Sequence, residues 1–159
     1  MDKLQVLCID DQAEVGAAVS KDLQGLIGHV DLINCDSALE ASAVLEQLDS
    51  RGEYIALIIC DQVMPVKNGV DFMAEIKGEE RYQFTQMILL TGQATHQDTI
   101  RAINEVHVDA YVSKPWESEV LNQVVRQALA RYVLRSGLDY LDYMSVIDQN
   151  VLYRELRRI

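Results

Sequence analysis

Asp10, Asp11, Asp61, Thr91 and Lys114 are residues of the types that handle a charged ligand, and each follows a short apolar run. Leu4–Ile9 runs into Asp10-Asp11, residues 55–60 into Asp61, residues 87–90 into Thr91-Gly92, and Ala110–Ser113 into Lys114-Pro115. Apolar runs of this length read as buried strands. Where parallel strands lie beneath helices, their C-terminal ends gather along one edge, and ligands bind there. The pattern therefore predicts three carboxylates, a hydroxyl and an ammonium in one pocket. Carboxylates crowded together require a divalent cation, whereas the ammonium and hydroxyl suit an anion. A pocket holding a hard cation beside a phosphoryl group meets both demands.

Each residue type has a specific use in such a pocket. Adjacent carboxylates at a strand end can diverge to two sides of one ion, and magnesium takes six oxygens while keeping several waters. Asp10 and Asp11 are thus the metal candidates. Asp61 offers a third carboxylate, and a loop carbonyl just after it offers a further oxygen. A carboxylate can also attack phosphorus and form an aspartyl phosphate, which makes Asp61 the candidate nucleophile. It must be ionised to attack. Repulsion from Asp10 and Asp11 is expected to raise its pKa, and a bound cation to offset this. Lys114 suits a compact anion, Thr91 has a hydroxyl to donate, and Gly92 leaves room for close approach of the anion. Taken singly, each has a plainer explanation: a helix cap, a turn, a solvated lysine.

The intervening segments predict the scaffold. Residues 12–27 carry Val15, Val19, Leu23 and Ile27 at four-residue spacing, which predicts one amphipathic helix. A shorter strand follows at 30–34. Ser37-Ala38-Leu39-Glu40 is a capping box, and Ala41, Leu45 and Leu48 continue its stripe. A helix from Gly69 to about Gly78 turns Phe72, Met73 and Ile76 inward. Thr95-His96-Gln97-Asp98 reads as another capped start, followed by Ile100, Ile103 and Val106. From Glu117 a long helix carries Val120, Leu121, Val124, Val125, Ala128 and Leu129, with Trp116 packed at its start. Strict alternation implies parallel strands with right-handed crossovers. The expected fold is α/β: a doubly wound, five-stranded parallel sheet of flavodoxin-like order over residues 1–133.

Residues 134–159 follow as a helical extension or linker. Leu138, Leu141, Met144, Ile147 and Val151 recur there at intervals of three or four residues. This predicts one more helix, or a continuation of the preceding one loosened at Gly137. The helix docks on the domain, or it contacts an output element or a second copy of the chain as a homodimer.

Composition narrows the function. The 159 residues suit one domain with a real core. No apolar run is long enough to cross a bilayer, and Met1-Asp2-Lys3-Leu4 leads straight into the first strand, so a cytoplasmic protein is expected. A net charge of −11 speaks against nucleic acid as a direct partner. Cys8, Cys35 and Cys60 are odd in number and lack a C-x-x-C pair, which argues against disulfides and zinc. His29, His96 and His107 show no ligand spacing and read as surface or loop residues.

The set is far more specific than its members. Asp10-Asp11, then Asp61 with Met64-Pro65 and Gly69, then Thr91-Gly92, then Tyr111 three residues before Lys114-Pro115, resembles the receiver domain of bacterial two-component response regulators. The resemblance covers about residues 3–133. It implies that Asp61 is the phosphoacceptor and that Asp10, Asp11, Asp61 and the Val63 carbonyl hold Mg2+. It further implies that Thr91 and Tyr111 are the switch pair and that Lys114 contacts the phosphate, with the bond to Pro115 cis. The implied partners are a sensor histidine kinase or phosphotransfer protein and a downstream protein or output domain, reached through the fourth helix, fifth strand and fifth helix. The chain then acts alone, or is the receiver part of a larger effector or hybrid protein. It is not an enzyme beyond its own phosphorylation and autodephosphorylation. Two other aspartate- or phosphate-handling classes fit worse. A haloacid-dehalogenase-like phosphatase needs a general acid two residues after its nucleophile, where Val63 stands. A flavodoxin-type flavin carrier needs a phosphate loop where Asp10-Asp11-Gln12-Ala13-Glu14 would repel the flavin phosphate.

Overall fold

The structure is a computed structural model and describes residues 2–92 and 96–158. Five strands are present: β1 (Leu4–Ile9), β2 (Val30–Cys35), β3 (Tyr54–Asp61), β4 (Gln86–Thr91) and β5 (Ala110–Ser113). They alternate with α1 (Ala13–Asp22), α2 (Ala38–Ser50), α3 (Gly69–Lys77), α4 (His96–Arg101) and α5 (Ser118–Ser136). All strand pairs are parallel, in the order β2-β1-β3-β4-β5. The doubly wound α/β fold is as the alternation predicts. β1 is buried at every residue, as a central strand covered on both faces must be.

Side chains alternate between two cores. Leu4, Val6, Cys8, Leu57 and Ile59 join residues of α1 and α5 on one face. Leu7, Ile9, Ile58, Cys60 and Leu89 join those of α2 and α3 on the other. Register levels the strand ends. Ile9 pairs with Cys60, Asp61 with Leu90, and Thr91 with Ser113. Asp10, Asp61, Thr91 and Lys114 therefore emerge within one residue of a common line.

Local signals work where hydrogen-bonding groups fix them. Ser37 Oγ accepts the Glu40 amide at 3.1 Å, and Asn68 caps α3 by accepting the Asp71 amide at 2.8 Å. Phe72, Met73 and Ile76 are buried. Two helices depart from the periodic reading. The predicted helix over 12–27 stops at Asp22 and passes into a 3-10 turn, Gln24–Leu26. Leu26 is buried instead, and Ile27 is 61% exposed. Gly25 and Gly28 lie in this stretch, and glycine disfavours helix by about 1 kcal/mol. α4 runs only to Arg101 and widens into a π turn, Ala102–Val106. The wider turn shifts the inward face to Ala102 and Val106, leaving Ile100 and Ile103 more than 40% exposed. The cap expected at Thr95 lies outside the described residues.

α5 ends at Gly137, whose φ of 82° gives the left-handed C-cap that glycine adopts without strain. The chain then turns back through a 3-10 segment, Tyr140–Tyr143, into α6 (Gln149–Leu156), capped by Asp148 on the Val151 amide at 2.9 Å. Tyr143, Val146, Ile147, Val151 and Leu152 are buried in the core that α1 and α5 share. The Tyr143 hydroxyl donates to the Asp2 carbonyl at 2.6 Å, and the Arg126 guanidinium to the Ser145 carbonyl at 2.7 Å. Residues 138–156 thus close the N-terminal edge of the sheet. Most of the apolar recurrence from Leu138 to Val151 is taken up within the chain, while Leu141, read as part of that stripe, stays exposed.

Candidate functional site

β1 delivers Asp10 buried and Asp11 exposed, and β3 delivers Asp61 buried. One carboxylate oxygen from each lies within 4.8 Å of the others. Asp10 Oδ1 accepts the Gln12 amide at 2.8 Å, which shapes the turn into α1. Its Oδ2 accepts Lys114 Nζ at 2.8 Å, and the same ammonium is 3.1 Å from Asp61 Oδ1. Lys114 therefore bridges the two buried carboxylates. The Lys114-Pro115 peptide is cis.

The electrostatics follow from burial and this bridge. Burial is the largest influence on Asp61 and raises its pKa; the Lys114 hydrogen bond pulls it back, Asp10 pushes it up, and the net shift is upward. The upward direction is the one expected from repulsion by Asp10 and Asp11. In the fold desolvation leads, Asp10 contributes less, and exposed Asp11 is not among the causes. Burial works against charge on Lys114, but its hydrogen bonds to Asp10 and Asp61 outweigh this and its pKa is raised. The ammonium is charged throughout the ordinary pH range. Burial pushes the Cys8 and Cys35 thiols up to about 12, so neither is a thiolate nucleophile at neutral pH.

A cavity of about 240 Å³ opens over these groups, lined by Asp11, Gln12, Asp61, Val63, Gly92 and Lys114. The Val63 backbone lies near enough to the Asp61 carboxylate to favour its charged form. Gly92 lines this cavity beside Lys114. A Cβ there would stand 3.4 Å from Lys114 Cδ, an ordinary contact distance. Thr91 is half-buried and its hydroxyl lies 3.5 Å from the Val112 carbonyl, a weak bond at best. Tyr111 stands outside the cavity, 50% exposed on the edge strand. Trp116 packs at the start of α5, its indole donating to Asp22 Oδ2 at 2.7 Å.

Two supports are absent from the sequence reading in these roles. A Cβ on Gly69 would stand 2.2 Å from the Asp61 carbonyl oxygen, so the start of α3 lies directly against the backbone of β3's last residue. Gln62 is buried and accepts the Val70 amide at 2.9 Å through its side chain, while its carbonyl accepts the Gly69 amide at 3.0 Å. Together they fix the loop that follows Asp61. A polar residue directly after an apolar strand, with a glycine seven residues on, was the available signal.

Comparison with known proteins agrees with this geometry. A profile of the family described as response regulator receiver domain matches residues 6–126. The hydrogenase transcriptional regulatory protein HoxA of Cupriavidus necator is 31% identical over 86% of this chain, and the match spans 26% of HoxA. For the HoxA of Bradyrhizobium diazoefficiens it spans 25%, so the chain covers about a quarter of these longer regulators. The chemotaxis protein CheY homolog of Campylobacter jejuni is 25% identical over 79% of this chain and 92% of its own length. Among solved structures, the signal receiver domain of an HD domain-containing protein from Pseudomonas fluorescens superposes with a TM-score of 0.75 at 26% identity, covering 86% of this chain and 94% of that one. Among the described residues no helix is long and apolar enough to cross a membrane. With a parallel sheet that brings an acidic cluster and a lysine to one edge, and with the family match running over most of that sheet, the chain belongs to the response regulator receiver domains of two-component signal transduction.

Proposed function

We propose that Asp61 accepts a phosphoryl group from a phosphohistidine of a sensor histidine kinase or phosphotransfer protein, or from a small phosphodonor, in a Mg2+-dependent reaction. The observation that carries this reading is a buried carboxylate at a central strand end, at the wall of a cavity, with an ammonium 3.1 Å away. Three hard carboxylate donors in reach of one point suit magnesium, and Asp10, Asp11, Asp61 and the Val63 carbonyl are the residues assigned to hold it. The ion supplies charge neutralisation for the carboxylates and the phosphoryl oxygens. An Asp61 oxygen forms the new bond to phosphorus while the bond to the donor's leaving group breaks. Lys114, charged and already inside the cavity, shifts from the carboxylates to a phosphoryl oxygen.

The switch follows from what is weakly held. Thr91 gives up a 3.5 Å contact to donate to the phosphoryl group. The space it leaves is filled by Tyr111, which turns in from its exposed position. The surface of α4, β5 and α5 changes with it, and a downstream protein or output domain reads that surface. A bias of only a few kcal/mol between two states suffices. The chain acts as a signalling module of the cytoplasm, with residues 1–133 as receiver and 134–159 as an extension, within a larger effector or as a regulator on its own. Contact with a second copy through the extension would rest on side chains that remain exposed, such as Leu141 and Tyr153.

Incubation with acetyl phosphate, or with beryllofluoride, in the presence of Mg2+ should modify Asp61 alone, and Asp61→Ala should take no label. Full labelling of that variant, or equal labelling in excess EDTA, overturns the assignment.

A further inference from the structure

Asp22, the last residue of α1, receives three hydrogen bonds from the segment just beyond Lys114-Pro115. The Trp116 indole donates to Oδ2 at 2.7 Å and the Ser118 hydroxyl to Oδ1 at 2.7 Å. The Asn122 amide donates to the Asp22 carbonyl at 3.3 Å. Both side-chain bonds are of short, well-formed length. Asp22 does not line the cavity over Asp61. Its helix, however, starts at Ala13, directly after Asp10, Asp11 and Gln12. One ten-residue helix is thus tied at its start to the acidic pair and at its end to the loop that carries the lysine.

That loop needs such a tie. β5 is four residues long and pairs with β4 on one side only. Gly92 places no side chain against the Lys114 stem. Nothing in the strand ladder beyond the Lys114 amide, which donates to the Thr91 carbonyl at 3.1 Å, fixes how far the lysine reaches.

We propose that Asp22 is a positioning residue for Lys114: by holding Trp116 and Ser118 against the end of α1, it sets where the ammonium stands relative to Asp61. This rests on the reading of Asp61 as phosphoacceptor. The acceptor geometry dictates the variants. Asp22→Ala removes both side-chain bonds. Asp22→Asn preserves both, because its amide oxygen accepts from the indole and its amide nitrogen donates to the Ser118 hydroxyl, which accepts as readily as it donates.

Two affinities separate positioning from mere stability. Mg2+ rests on the carboxylates, whereas beryllofluoride at saturating Mg2+ also needs Lys114. Both are measured on folded protein well below its melting temperature. Trp116 is the chain's single tryptophan, so its emission reports the loop directly. Asp22→Ala should weaken beryllofluoride binding about tenfold to a hundredfold, the scale of an ångström of misplacement. Its Mg2+ affinity should not fall, because an ammonium displaced from Asp10 and Asp61 leaves their oxygens freer for the cation. Its Trp116 emission should shift, and Asp22→Asn should match wild type in all three readouts. Unchanged beryllofluoride affinity in Asp22→Ala overturns the proposal, as does a parallel loss of both affinities or an Asp22→Asn as impaired as Asp22→Ala. A wild-type protein that takes no beryllofluoride defeats the phosphoacceptor reading, and this proposal with it.

Discussion

At the C-terminal edge of the sheet the chain leaves the core through Asp10, Asp61 and Lys114, and the groups meet in an open cavity with one ammonium shared between two buried carboxylates. At the N-terminal end, where β1 and β3 begin at Leu4 and Tyr54, the extension packs on α5 and joins the same core, with Tyr143, Val146, Ile147 and Leu152 buried. The Tyr143 hydroxyl at that edge has its acceptor in the Asp2 carbonyl. One edge holds charge in a place that disfavours it. The other is covered by apolar packing, with the Tyr143 hydroxyl paired and Gln86 Oε1, at the start of β4, buried without a partner. A signalling site needs weakly determined groups that a ligand can rearrange, and those are affordable only where the rest of the fold is firmly set. Three substitutions test whether the two edges are independent in this way.

The largest effect on stability should come from the closed edge. Leu152 in α6 is 1% exposed, and a buried leucine cut to alanine costs about 2–5 kcal/mol. Leu152→Ala should lower the denaturant midpoint accordingly and leave Mg2+ affinity at the far edge unchanged. A proportional loss of Mg2+ affinity under native conditions would mean that the edges are coupled.

Gly69→Ala should come next and should strike both stability and the site. The added methyl would meet the Asp61 carbonyl at 2.2 Å, and that atom is backbone, so α3 or the end of β3 must move. Overpacking of this kind costs about 1–3 kcal/mol. Mg2+ affinity should fall with it, because the displaced residue is Asp61 itself. A variant with wild-type affinity and stability would show that the loop beyond Asp61 yields freely and that Gln62 does not fix it.

The contrast between edges also explains what the sequence could reveal. The strands were readable because each is a compact apolar run, and their ends carry the residues that form the cluster. Only register brings Ile9 beside Cys60, and the alternation of strand and helix already implied it. Pairing across the cavity was not readable. Lys114 bridges Asp10 and Asp61 over more than fifty residues of separation, and nothing local marks it. Helical periodicity failed at Ile27, Ile100 and Ile103, where a 3-10 or π turn rotates the inward face. The extension's stripe was visible, but Gly137 reverses the chain, and the direction of that reversal depends on tertiary packing alone.

The smallest effect should be a gain. Asp61 is buried, and its carboxyl titrates above the ordinary aspartate value of 3.8. The folded state therefore holds the Asp61 proton more tightly than the unfolded state does. Stability from this group is greatest below the unfolded pKa and falls as pH rises through the raised folded value, so at neutral pH the full penalty is present. Asp61→Asn keeps the shape and has no charge to desolvate. Lys114 is not orphaned by the change, because Asp10 still holds it at 2.8 Å. Without divalent cations at neutral pH, the variant should melt roughly 2–4 °C above wild type, the shift that about 1 kcal/mol makes in a chain of this size. The gap should shrink on acidification as wild-type Asp61 takes up its proton. It should shrink also on adding Mg2+, which binds and stabilises the folded wild type more than a variant short of one carboxylate. A variant less stable than wild type at neutral pH without cation would mean that the Lys114–Asp61 pair outweighs the burial of its carboxylate. The C-terminal edge would then be as settled as the N-terminal one, and the switch would have to draw its bias from Thr91 and Tyr111 alone.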